Sequence, residues 1–535
     1  MPDSSNPAGP IKPGFSWIRL LMPSLADIIF LSLFYALTFG PLAPVLLRDA
    51  DIGWHVRNGD HIWQTFQVPR TDYFSYTRDG QPWYAWEWLY DLIIGRVHAA
   101  MGLNGVVLFS ALIIAATFTL LFRLALARSG NLFLAAGLAL LSAEASTIHF
   151  LGRPHLLTWL LTVIWYQLLD QFQTGKRKNL AWLPVLMLFW VNLHGGFLLG
   201  LALLALYGGA NLWTYVTAAG TELRQVARRL GAHQAKIAVL CLLATLATPY
   251  SYKLHLHLYG YLSNRFLMDN IDEFLSPNFH VLAEKFFVIL LLVALLGCAF
   301  SPRKPRAVDL LIIAFSTYAA LYAARNIPIA ALLLSLSMAA SLGESLRWAA
   351  AAPDLSPAAR RPFSFLDRFY GRMAPLELRF NAHFLPILLV LASLGMALNG
   401  GRFLGHPVLT AQFDPQRFPV KATQFLRSQE IHDRLFSTDV WSGYLIYQLH
   451  PRFRVFVDDR HDFYGEAFLR EYQKVVRLSP GWREVLETYR VEWVLVSPES
   501  GLANALKEMP DWKIAYADDV AVLYARTAPH PPAPR

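Results

Sequence analysis

Residues 23–51 read PSLADIIFLSLFYALTFGPLAPVLLRDAD, an apolar stretch over 23–47 that runs directly into Arg48, Asp49 and Asp51. About 20 apolar residues are enough for a helix to cross the hydrocarbon core of a bilayer. No convincing cleavage site accompanies the stretch, so we interpret it as an uncleaved signal anchor. Carboxylates at the edge of a membrane are costly to hold and tend to be functional. The stretch therefore predicts a membrane enzyme whose chemistry lies just beyond its first helix.

The chain as a whole has the composition of a polytopic membrane protein. Of its 535 residues, 55% are hydrophobic and 16% are charged, and the mean hydropathy is +0.34. This balance excludes an ordinary soluble globular protein. We predict about 11 transmembrane helices, at residues 23–47, 104–126, 132–150, 156–172, 180–193, 197–215, 232–247, 286–300, 308–324, 327–342 and 384–398.

The distribution of Lys and Arg predicts the orientation, because positive residues concentrate on the cytoplasmic side. With the N-terminus inside, the inner loops contain 18 Lys and Arg residues, against five in the short outer loops. We predict a cytoplasmic tail at 1–22 and a transmembrane region at 23–399 with a large outer loop at 48–103. The expected location is the plasma (bacterial inner) membrane. The net charge of +9 comes largely from the inner loops, so no nucleic-acid partner is expected.

Residues 400–535 differ in composition and are predicted to form an extracytoplasmic (periplasmic) α/β domain. Short strands are expected at 454–457, 491–496, 513–516 and 521–524, and helices at 466–476, 482–489 and 502–509. Strands that alternate with helices are typical of a small α/β domain. Both cysteines, Cys241 and Cys298, lie in apolar stretches, so no disulfide is expected in the outer segments.

The outer loop combines carboxylates with two predicted helices. Apolar residues recur at helical spacing over 52–66, and a second helix is predicted at 83–98, both of the kind that lies flat on a membrane. Asp51 begins the first helix, where one interpretation is a simple N-cap. Another is a catalytic base that takes a proton from an acceptor hydroxyl. In a third, Asp49 and Asp51 together hold a divalent cation such as Mg²⁺ or Mn²⁺ against a phosphate.

Polar residues at the outer face are predicted to bind substrate, because a departing phosphate needs cations nearby. The predicted substrate-binding residues are His55, Arg57 and Glu87 in the outer loop, and Arg153, His155, His194 and Arg325 at the outer ends of the spans. A snorkelling Arg or a His at a helix end is the alternative for each of the latter four. The acidic residues around Glu273 are expected to form a solvated loop.

A family resemblance is carried by the order of short motifs in the first ~110 residues. These are Asp49-Ala50-Asp51, Gly59-Asp60, Pro69, Gly80-Gln81-Pro82, Trp88-Leu89 and Gly102-Leu103-Asn104. They resemble the first outer loop of the GT-C class of membrane glycosyltransferases, which includes protein mannosyltransferases, aminoarabinose transferases and the catalytic subunit of oligosaccharyltransferase. In one branch the loop continues as G-x-P-x-x-x-K-P-P-L-x-x-W-L, and here residues 80–89 lack the Lys-Pro-Pro element and carry Glu87.

The resemblance implies a GT-C-like fold and an inverting glycosyltransferase. It implies a polyprenyl-phosphate-linked sugar donor and a lipid, glycan or protein acceptor on the outer face of the membrane. The role of catalytic base, or of metal ligand, would fall first on Asp51 and then on Asp49.

The C-terminal region carries a second, weaker similarity. Asp439-Val-Trp441-Ser-Gly443-Tyr444, which precedes 455–460, is similar to the W-W-D-Y-G-Y segment of oligosaccharyltransferase catalytic subunits. Only the Gly-Tyr-x-Ile core matches in register, so peptide recognition is not implied. A strand, a turn and a helix of an α/β fold is the preferred interpretation.

Two other functions stay open: a lipid or polysaccharide transporter or flippase, and a non-catalytic envelope-assembly protein. The middles of the spans are almost free of charge, which argues against an ion-coupled carrier. In an assembly protein the aspartates would only cap a helix. Convergence of Asp51, Arg153, His194 and Arg325 in one cavity would favour the enzyme.

Overall fold

The computed structural model describes residues 22–377, 382–429 and 434–527, so residues 1–21 of the predicted cytoplasmic tail lie outside the described part. Up to residue 398 the regular elements of the described chain are helices, joined by 3₁₀ turns and by loops such as 66–87. Its α-helices are α1 (Leu25–Thr38), α2 (Ile52–Thr65), α3 (Trp88–Ser129), α4 (Leu132–Ser146), α5 (His155–Gln173), α6 (Trp182–Leu193), α7 (Phe197–Thr217), α8 (Thr221–Ala244), α9 (Tyr252–Ser263), α10 (Arg265–Asn270), α11 (Leu282–Ala299), α12 (Ala307–Tyr322), α13 (Ile327–Ala351), α14 (Pro357–Glu377) and α15 (Phe384–Leu398).

Five of the described helical segments are long and apolar enough to cross a membrane. They are α3, α7, α11, and α4 and α13 with their adjoining 3₁₀ turns. Four shorter apolar helices accompany them, α1, α6, α12 and α15. Each predicted apolar stretch contains helix, which confirms a polytopic α-helical membrane protein. The first stretch, 23–47, is helical over a shorter range than predicted, because α1 ends at Thr38 and Pro44–Leu47 form a 3₁₀ turn. The number of membrane-crossing helices stays a prediction.

The second predicted loop helix forms, but it begins at Trp88 instead of residue 83. It is the first segment of α3, Trp88–Ser129, and Gly102 separates it from the apolar segment that follows. Gly102 interrupts the helical backbone with φ 61° and ψ −154°, a conformation that glycine adopts without a steric penalty. The predicted loop helix and the predicted span are therefore joined by a kink at one glycine.

Helix α2 forms where it was predicted, but it does not lie on the surface. Its first turns are buried, and its neighbours approach through glycine. A side chain at Gly53 would collide with the carbonyl of Gly443, and one at Gly59 would collide with the carbonyl of Asp91. The prediction of a flat membrane-surface helix is therefore wrong, because glycines on its two sides let α2 pack between α3 and the C-terminal region.

The C-terminal region contains a mixed four-stranded sheet flanked by helices, which confirms the α/β class. Its strands lie in the order Leu435–Ser437, Trp493–Val496, Val522–Arg526 and Trp512–Ala517. The first two are parallel and the other neighbouring pairs are antiparallel. The described strands are β1 (Arg402–Phe403), β2 (His406–Pro407), β3 (Leu435–Ser437), β4 (Trp493–Val496), β5 (Trp512–Ala517) and β6 (Val522–Arg526). The helices are α16 (Val420–Ser428), α17 (Asp439–Leu449), α18 (His461–Val476), α19 (Trp482–Thr488) and α20 (Gly501–Lys507).

The predicted strand at 454–457 does not join this sheet. Val455 instead makes a single parallel bridge with Ser75 of the outer loop. Its N–H donates to the Phe74 carbonyl at 2.9 Å, and its carbonyl accepts from the Tyr76 N–H at 3.1 Å. The segment is extended because it pairs with the outer loop, so sequence pattern alone assigned it to the wrong partner. The boundary at residue 400 stays a prediction, since one hydrophobic core runs from the spans into the C-terminal region, reaching Tyr444.

Candidate active site

A cavity of about 1100 Å³ lies where the outer loop, the outer ends of the apolar helices and the C-terminal region meet. Its walls carry an unusual density of ionisable side chains. They include Arg48, Asp49, Asp51, Glu87, Arg153, His155, His194, Glu273, Arg325, Arg417, Asp439, Asp459, Arg460 and His461. Asp51, Arg153, His194 and Arg325 are therefore brought to one cavity.

Asp51 lies directly before α2. A 3₁₀ turn, Pro44–Leu47, connects α1 to this segment and so places Asp51 in the cavity. Asp51 has helical φ and ψ angles of −56° and −34°, and its side chain makes no capping hydrogen bond. Its Oδ2 accepts from Arg153 Nη2 at 2.6 Å. Asp49 Oδ1 accepts from the Asp51 N–H at 2.9 Å, and Asp49 Oδ2 contacts Arg153 Nη1 at 3.0 Å. The N-cap interpretation is therefore wrong for the Asp51 carboxylate, which faces a cation in the cavity instead.

Arg153 also holds Glu273, a residue that the sequence placed in a solvated loop. The Nη1 atom of Arg153 lies 3.1 Å from Glu273 Oε1. Burial alone would raise the pKa of Glu273, but Arg153 and Arg325 outweigh it and lower that pKa below its usual value. Glu273 is therefore an ionised wall residue of the cavity. The expectation of a solvated loop fails here because a 3₁₀ turn, Asp272–Phe274, folds it inwards.

A third aspartate comes from the C-terminal region. The carboxyl group of Asp459 contacts that of Asp51, and carboxylate oxygens of Asp49, Asp51 and Asp459 all lie within 4.8 Å of one another. Within the described part of the chain, Asp51 Oδ1 is buried and has no hydrogen-bond partner. Burial and the like charge of its neighbours raise the pKa of Asp459 well above its usual value. Burial raises the pKa of Asp51 as well, although Arg153 opposes this.

Near Asp459, the first residues of α17 and α18 form a pair between a histidine and a carboxylate. His461, at the start of α18, lies with Nε2 3.1 Å from Asp439 Oδ2 at the start of α17. The Tyr472 hydroxyl donates to Asp439 Oδ1 at 2.9 Å. Burial lowers the pKa of His461, but the hydrogen bond and charge of Asp439 outweigh it, so the pKa rises above its usual value. Burial likewise raises the pKa of Asp439, and the bonds from His461 and Tyr472 reverse this to a net lowering.

The residues at the aspartate cluster fit a divalent cation. Carboxylate oxygens are the ligands that Mg²⁺ and Mn²⁺ prefer. The unpaired Oδ1 of Asp51 is a buried acceptor without a donor, which is costly unless a proton or cation satisfies it. Asp49 and Asp51, the predicted metal ligands, are thus joined by Asp459 in a group of suitable geometry.

Glu87 occupies a different wall of the cavity, between two histidines. Its Oε1 lies 3.6 Å from His194 Nε2, and its Oε2 lies 4.0 Å from His55 Nε2. His194 Nδ1 accepts from the Gly196 N–H at 3.0 Å, so its proton is on Nε2, facing Glu87. Burial lowers the pKa of His194 to about 3, so its imidazole is neutral. Burial raises the pKa of Glu87 well above its usual value, which favours a protonated carboxyl group there.

His155, His55 and Arg57 are held by the protein itself. His155 lines the cavity, and its Nε2 donates to the His149 carbonyl at 2.8 Å. His55 lies outside the lining, with Nδ1 2.5 Å from Asp91 Oδ1. Arg57 also lies outside, and its Nε donates to the Tyr447 carbonyl at 2.9 Å. A substrate-binding role for these three residues stays a prediction.

Three arginines on the cavity wall have no carboxylate within 4.0 Å among the residues that the structure describes. They are Arg48, Arg325 and Arg417. Arg48 Nη2 donates to the carbonyls of Thr147 and Ile148. Arg325 lies over the ring of Phe274 at 4.4 Å. Sequence analysis identified Arg325 but not Arg48 or Arg417, because no spacing signal distinguishes these two from other boundary arginines.

Comparisons with known proteins bear on the fold. No protein-family model and no curated protein matches the sequence. The oligosaccharyltransferase of Archaeoglobus fulgidus, solved with a tethered acceptor peptide, matches over 94% of this chain and 74% of its own, at 13% identity and a TM-score of 0.51. ArnT from Cupriavidus metallidurans, solved with undecaprenyl phosphate, matches over 94% of this chain and 98% of its own, at 15% identity and a TM-score of 0.45. The match to the oligosaccharyltransferase shows that the chain has the fold of the GT-C class of membrane glycosyltransferases.

Proposed function

We propose that the protein is a glycosyltransferase that moves a sugar from a polyprenyl-phosphate donor to an acceptor on the outer face of the membrane. One observation carries this proposal. The Asp51 carboxylate is buried in the wall of a large cavity, paired with Arg153 and in contact with Asp459, instead of capping its helix. The GT-C fold supports the assignment.

The proposed reaction is a single displacement at the anomeric carbon. Asp51 takes the proton from the acceptor hydroxyl as its oxygen bonds to C1. The bond between C1 and the phosphate oxygen breaks, and polyprenyl phosphate leaves with the electron pair. Attack opposite the departing group inverts the anomeric centre. Burial raises the pKa of Asp51, and a raised pKa makes its carboxylate a stronger base.

The leaving phosphate is assigned to the three arginines that lack carboxylate partners. Arg48, Arg325 and Arg417 line the same cavity as Asp51. Their positive charges are not already used in the described ion pairs, so they are available to an anionic ligand. A phosphate bound there would place the sugar near the aspartates, and the polyprenyl chain would pass between the apolar helices.

Glu87, His155 and His194 are assigned to the bound sugar or acceptor. Burial raises the pKa of Glu87 and favours its protonated form, and His194 Nε2 is a donor, so both can present hydrogen-bond donors to hydroxyl oxygens. His55 and Arg57 act indirectly, since His55 fixes Asp91 beside Glu87 and Arg57 fixes α2 to Tyr447. If Mg²⁺ or Mn²⁺ binds, Asp49 and Asp51 would hold it, Asp51 would be a metal ligand instead of the base, and the ion would supply positive charge beside the phosphate.

The acceptor is a lipid, a glycan or a protein. The matched oligosaccharyltransferase was solved with a tethered acceptor peptide. Only part of the segment that resembles its family is present here, and Trp441 is buried with its Nε1 donating to the Arg417 carbonyl. The proposed location is the bacterial inner membrane, with the N-terminus in the cytoplasm and the C-terminal region outside. The apolar helices and the charge distribution support this topology.

The function is tested with purified full-length protein, a panel of radiolabelled polyprenyl-phosphate sugars, and lipid, glycan and protein fractions of the envelope as acceptors. We expect labelled product and free polyprenyl phosphate, and a loss of at least about 100-fold in Asp51→Asn. Asp60→Asn is the matched control, because Asp60 lies on the same helix but pairs with Arg96 at 2.9 Å outside the cavity. Equal transfer by Asp51→Asn and wild type would show that the site is wrong.

The transporter alternative is tested with the same protein in vesicles that contain fluorescent polyprenyl phosphate. A flippase would move the lipid between leaflets without sugar transfer, and its activity would survive Asp49→Asn and Asp51→Asn. A transferase loses product formation in both variants, and the control Asp60→Asn behaves as wild type.

A further inference from the structure

The C-terminal region is built to present Asp459 to the outer loop. Its neighbour Arg460 is 4% exposed and pairs with Asp458 through Nε and Nη2, both at 2.7 Å. The same Nη2 reaches Asp72 of the outer loop at 2.7 Å. Arg460 also lies over the ring of Trp83 at 4.3 Å. These contacts fix segment 458–460 against the outer loop, so the position of Asp459 beside Asp51 is determined by buried ion pairs.

The charges around Asp459 do not balance. Asp49, Asp51 and Asp459 lie together, and Arg153 is the one Lys or Arg within 4.0 Å of them in the described ranges. Arg153 is also shared with Glu273. Carboxylates at this separation repel one another unless a proton or a cation lies between them.

One oxygen in this group is left without a partner. Asp51 Oδ2 is occupied by Arg153, whereas Oδ1 is buried, since the Asp51 side chain is 2% exposed, and it has no donor in the described structure other than a protonated Asp459. A buried acceptor of this kind needs a proton or a cation. Asp439 and His461 form a second close group with Asp459, but they satisfy each other at 3.1 Å. The unpaired oxygen therefore places the ligand beside Asp51.

We infer that Asp459 is the third protein ligand of a divalent-cation site formed with Asp49 and Asp51, so that the C-terminal region completes the active centre. The inference rests on the proposed function for its purpose, which is to bring positive charge to the leaving phosphate. Oxygen-only ligands and a cavity open to water suit Mg²⁺ or Mn²⁺, which keep several water ligands.

The test measures Mn²⁺ binding to the full-length protein in detergent, by electron paramagnetic resonance of free Mn²⁺ and by Mn²⁺-dependent thermal stabilisation. Neither readout requires sugar transfer. We expect one Mn²⁺ per chain, competed by Mg²⁺, and a Kd that rises at least tenfold in Asp459→Asn. Asp60→Asn and Asp439→Asn should bind as wild type, because Asp60 lies outside the cavity and Asp439 is already paired with His461 and Tyr472.

Folding of the variant is checked by its own unfolding temperature in the absence of metal. Removing one of three carboxylates relieves repulsion, so metal-free Asp459→Asn should unfold at or above the wild-type temperature, and Asp459→Ser serves as a second variant. Wild-type affinity in both variants would overturn the inference. So would a wild-type protein that binds no Mn²⁺, or an Asp439→Asn variant that loses binding as Asp459→Asn does. If Mn²⁺ binds as expected but no sugar donor is used, the cation site stands and the proposed function fails.

Discussion

At the scale of single residues, Arg153 controls the charge balance of the cavity. Its guanidinium contacts Asp49 and Asp51 of one loop and Glu273 of another, which is more distant in sequence. Its side chain is 24% exposed, and that exposure is towards the cavity that it lines. Removing one member of a buried ion network leaves its partners uncompensated, which costs more than the network's net contribution to stability.

We predict that Arg153→Gln lowers the free energy of unfolding by about 3 kcal/mol at pH 7, because three carboxylates lose their counter-charge. Sugar transfer should be lost as well. Chemical denaturation of the detergent-solubilised protein measures the change. Arg402→Gln is the control, since Arg402 is exposed in β1 and its replacement should change stability by less than about 0.5 kcal/mol.

The loss of stability in Arg153→Gln is expected to depend on pH. Burial raises the pKa of Asp51 in the folded protein, and loss of Arg153 removes the opposing effect. A carboxyl group with a raised folded pKa contributes stability below its unfolded pKa of about 3.9, and that contribution is lost as pH rises through the folded pKa. The deficit of Arg153→Gln should therefore shrink at pH 4 and be full at pH 7. A deficit that is constant over this range would mean that packing, not charge, is responsible.

The sequence predicted part of this site and missed the rest for a physical reason. Asp51 and Arg153 stand beside membrane boundaries, where a charge is costly, so their positions alone singled them out. Asp459 follows a buried segment in a different region of the chain, and carboxylates at strand ends are common in α/β folds. The pairing of Val455 with Ser75 and the Arg460–Asp72 ion pair bring Asp459 to Asp51, and no local spacing encodes these contacts.

At the scale of elements, the position of Asp51 depends on close packing of α2 against α17. Gly53 of α2 and Gly443 of α17 face each other, and a Cβ on Gly443 would overlap the Ala50 carbonyl. Because backbone blocks the space on both sides, a methyl group there cannot be accommodated by a rotamer change. Glycine at these positions thus determines how near the C-terminal region comes to the outer loop.

We predict that Gly443→Ala destabilises the protein by about 1–3 kcal/mol through overpacking. It should also lower transfer, because it displaces the start of α2. Gly208→Ala is the matched control, since Gly208 is helical and nothing lies within 4 Å of a Cβ there. That substitution should be neutral or stabilising by up to about 1 kcal/mol. Thermal unfolding of the two variants in parallel decides between overpacking and a general effect of alanine.

The pair formed by Asp439 at the start of α17 and His461 at the start of α18 predicts a stability that depends on pH. The raised pKa of His461 stabilises the fold below its unfolded value of about 6.5, and this is lost as pH rises through the folded value. The lowered pKa of Asp439 stabilises the fold above about 3.9, and this is lost as pH falls. His461→Gln should therefore cost more stability at pH 5.5 than at pH 8.5. An equal cost at the two pH values would show that His461 contributes only packing.

At the scale of the whole molecule, the outer loop and the C-terminal region form one unit above the spans. The buried Arg460 network and the hydrogen bonds of Val455 join them, and the cavity lies beneath. Apolar periodicity was sufficient to predict helical spans and the α/β class, because those patterns are local. It could not predict how α2 is buried or that the two outer segments share a site, since those depend on contacts between distant parts of the chain.

The proposed topology places this unit outside the cell membrane, and that placement decides which side supplies donor and acceptor. We predict that Glu499→Cys, on the exposed surface of the C-terminal region, reacts with a membrane-impermeant maleimide in intact cells. Lys176→Cys, exposed between α5 and α6, should react only after permeabilisation, because positive residues cluster on the cytoplasmic side. Both variants are made with Cys241 and Cys298 replaced by alanine, since these are the two native thiols. The reverse labelling pattern would put the aspartate cluster in the cytoplasm, where the donor would have to be presented from the opposite leaflet.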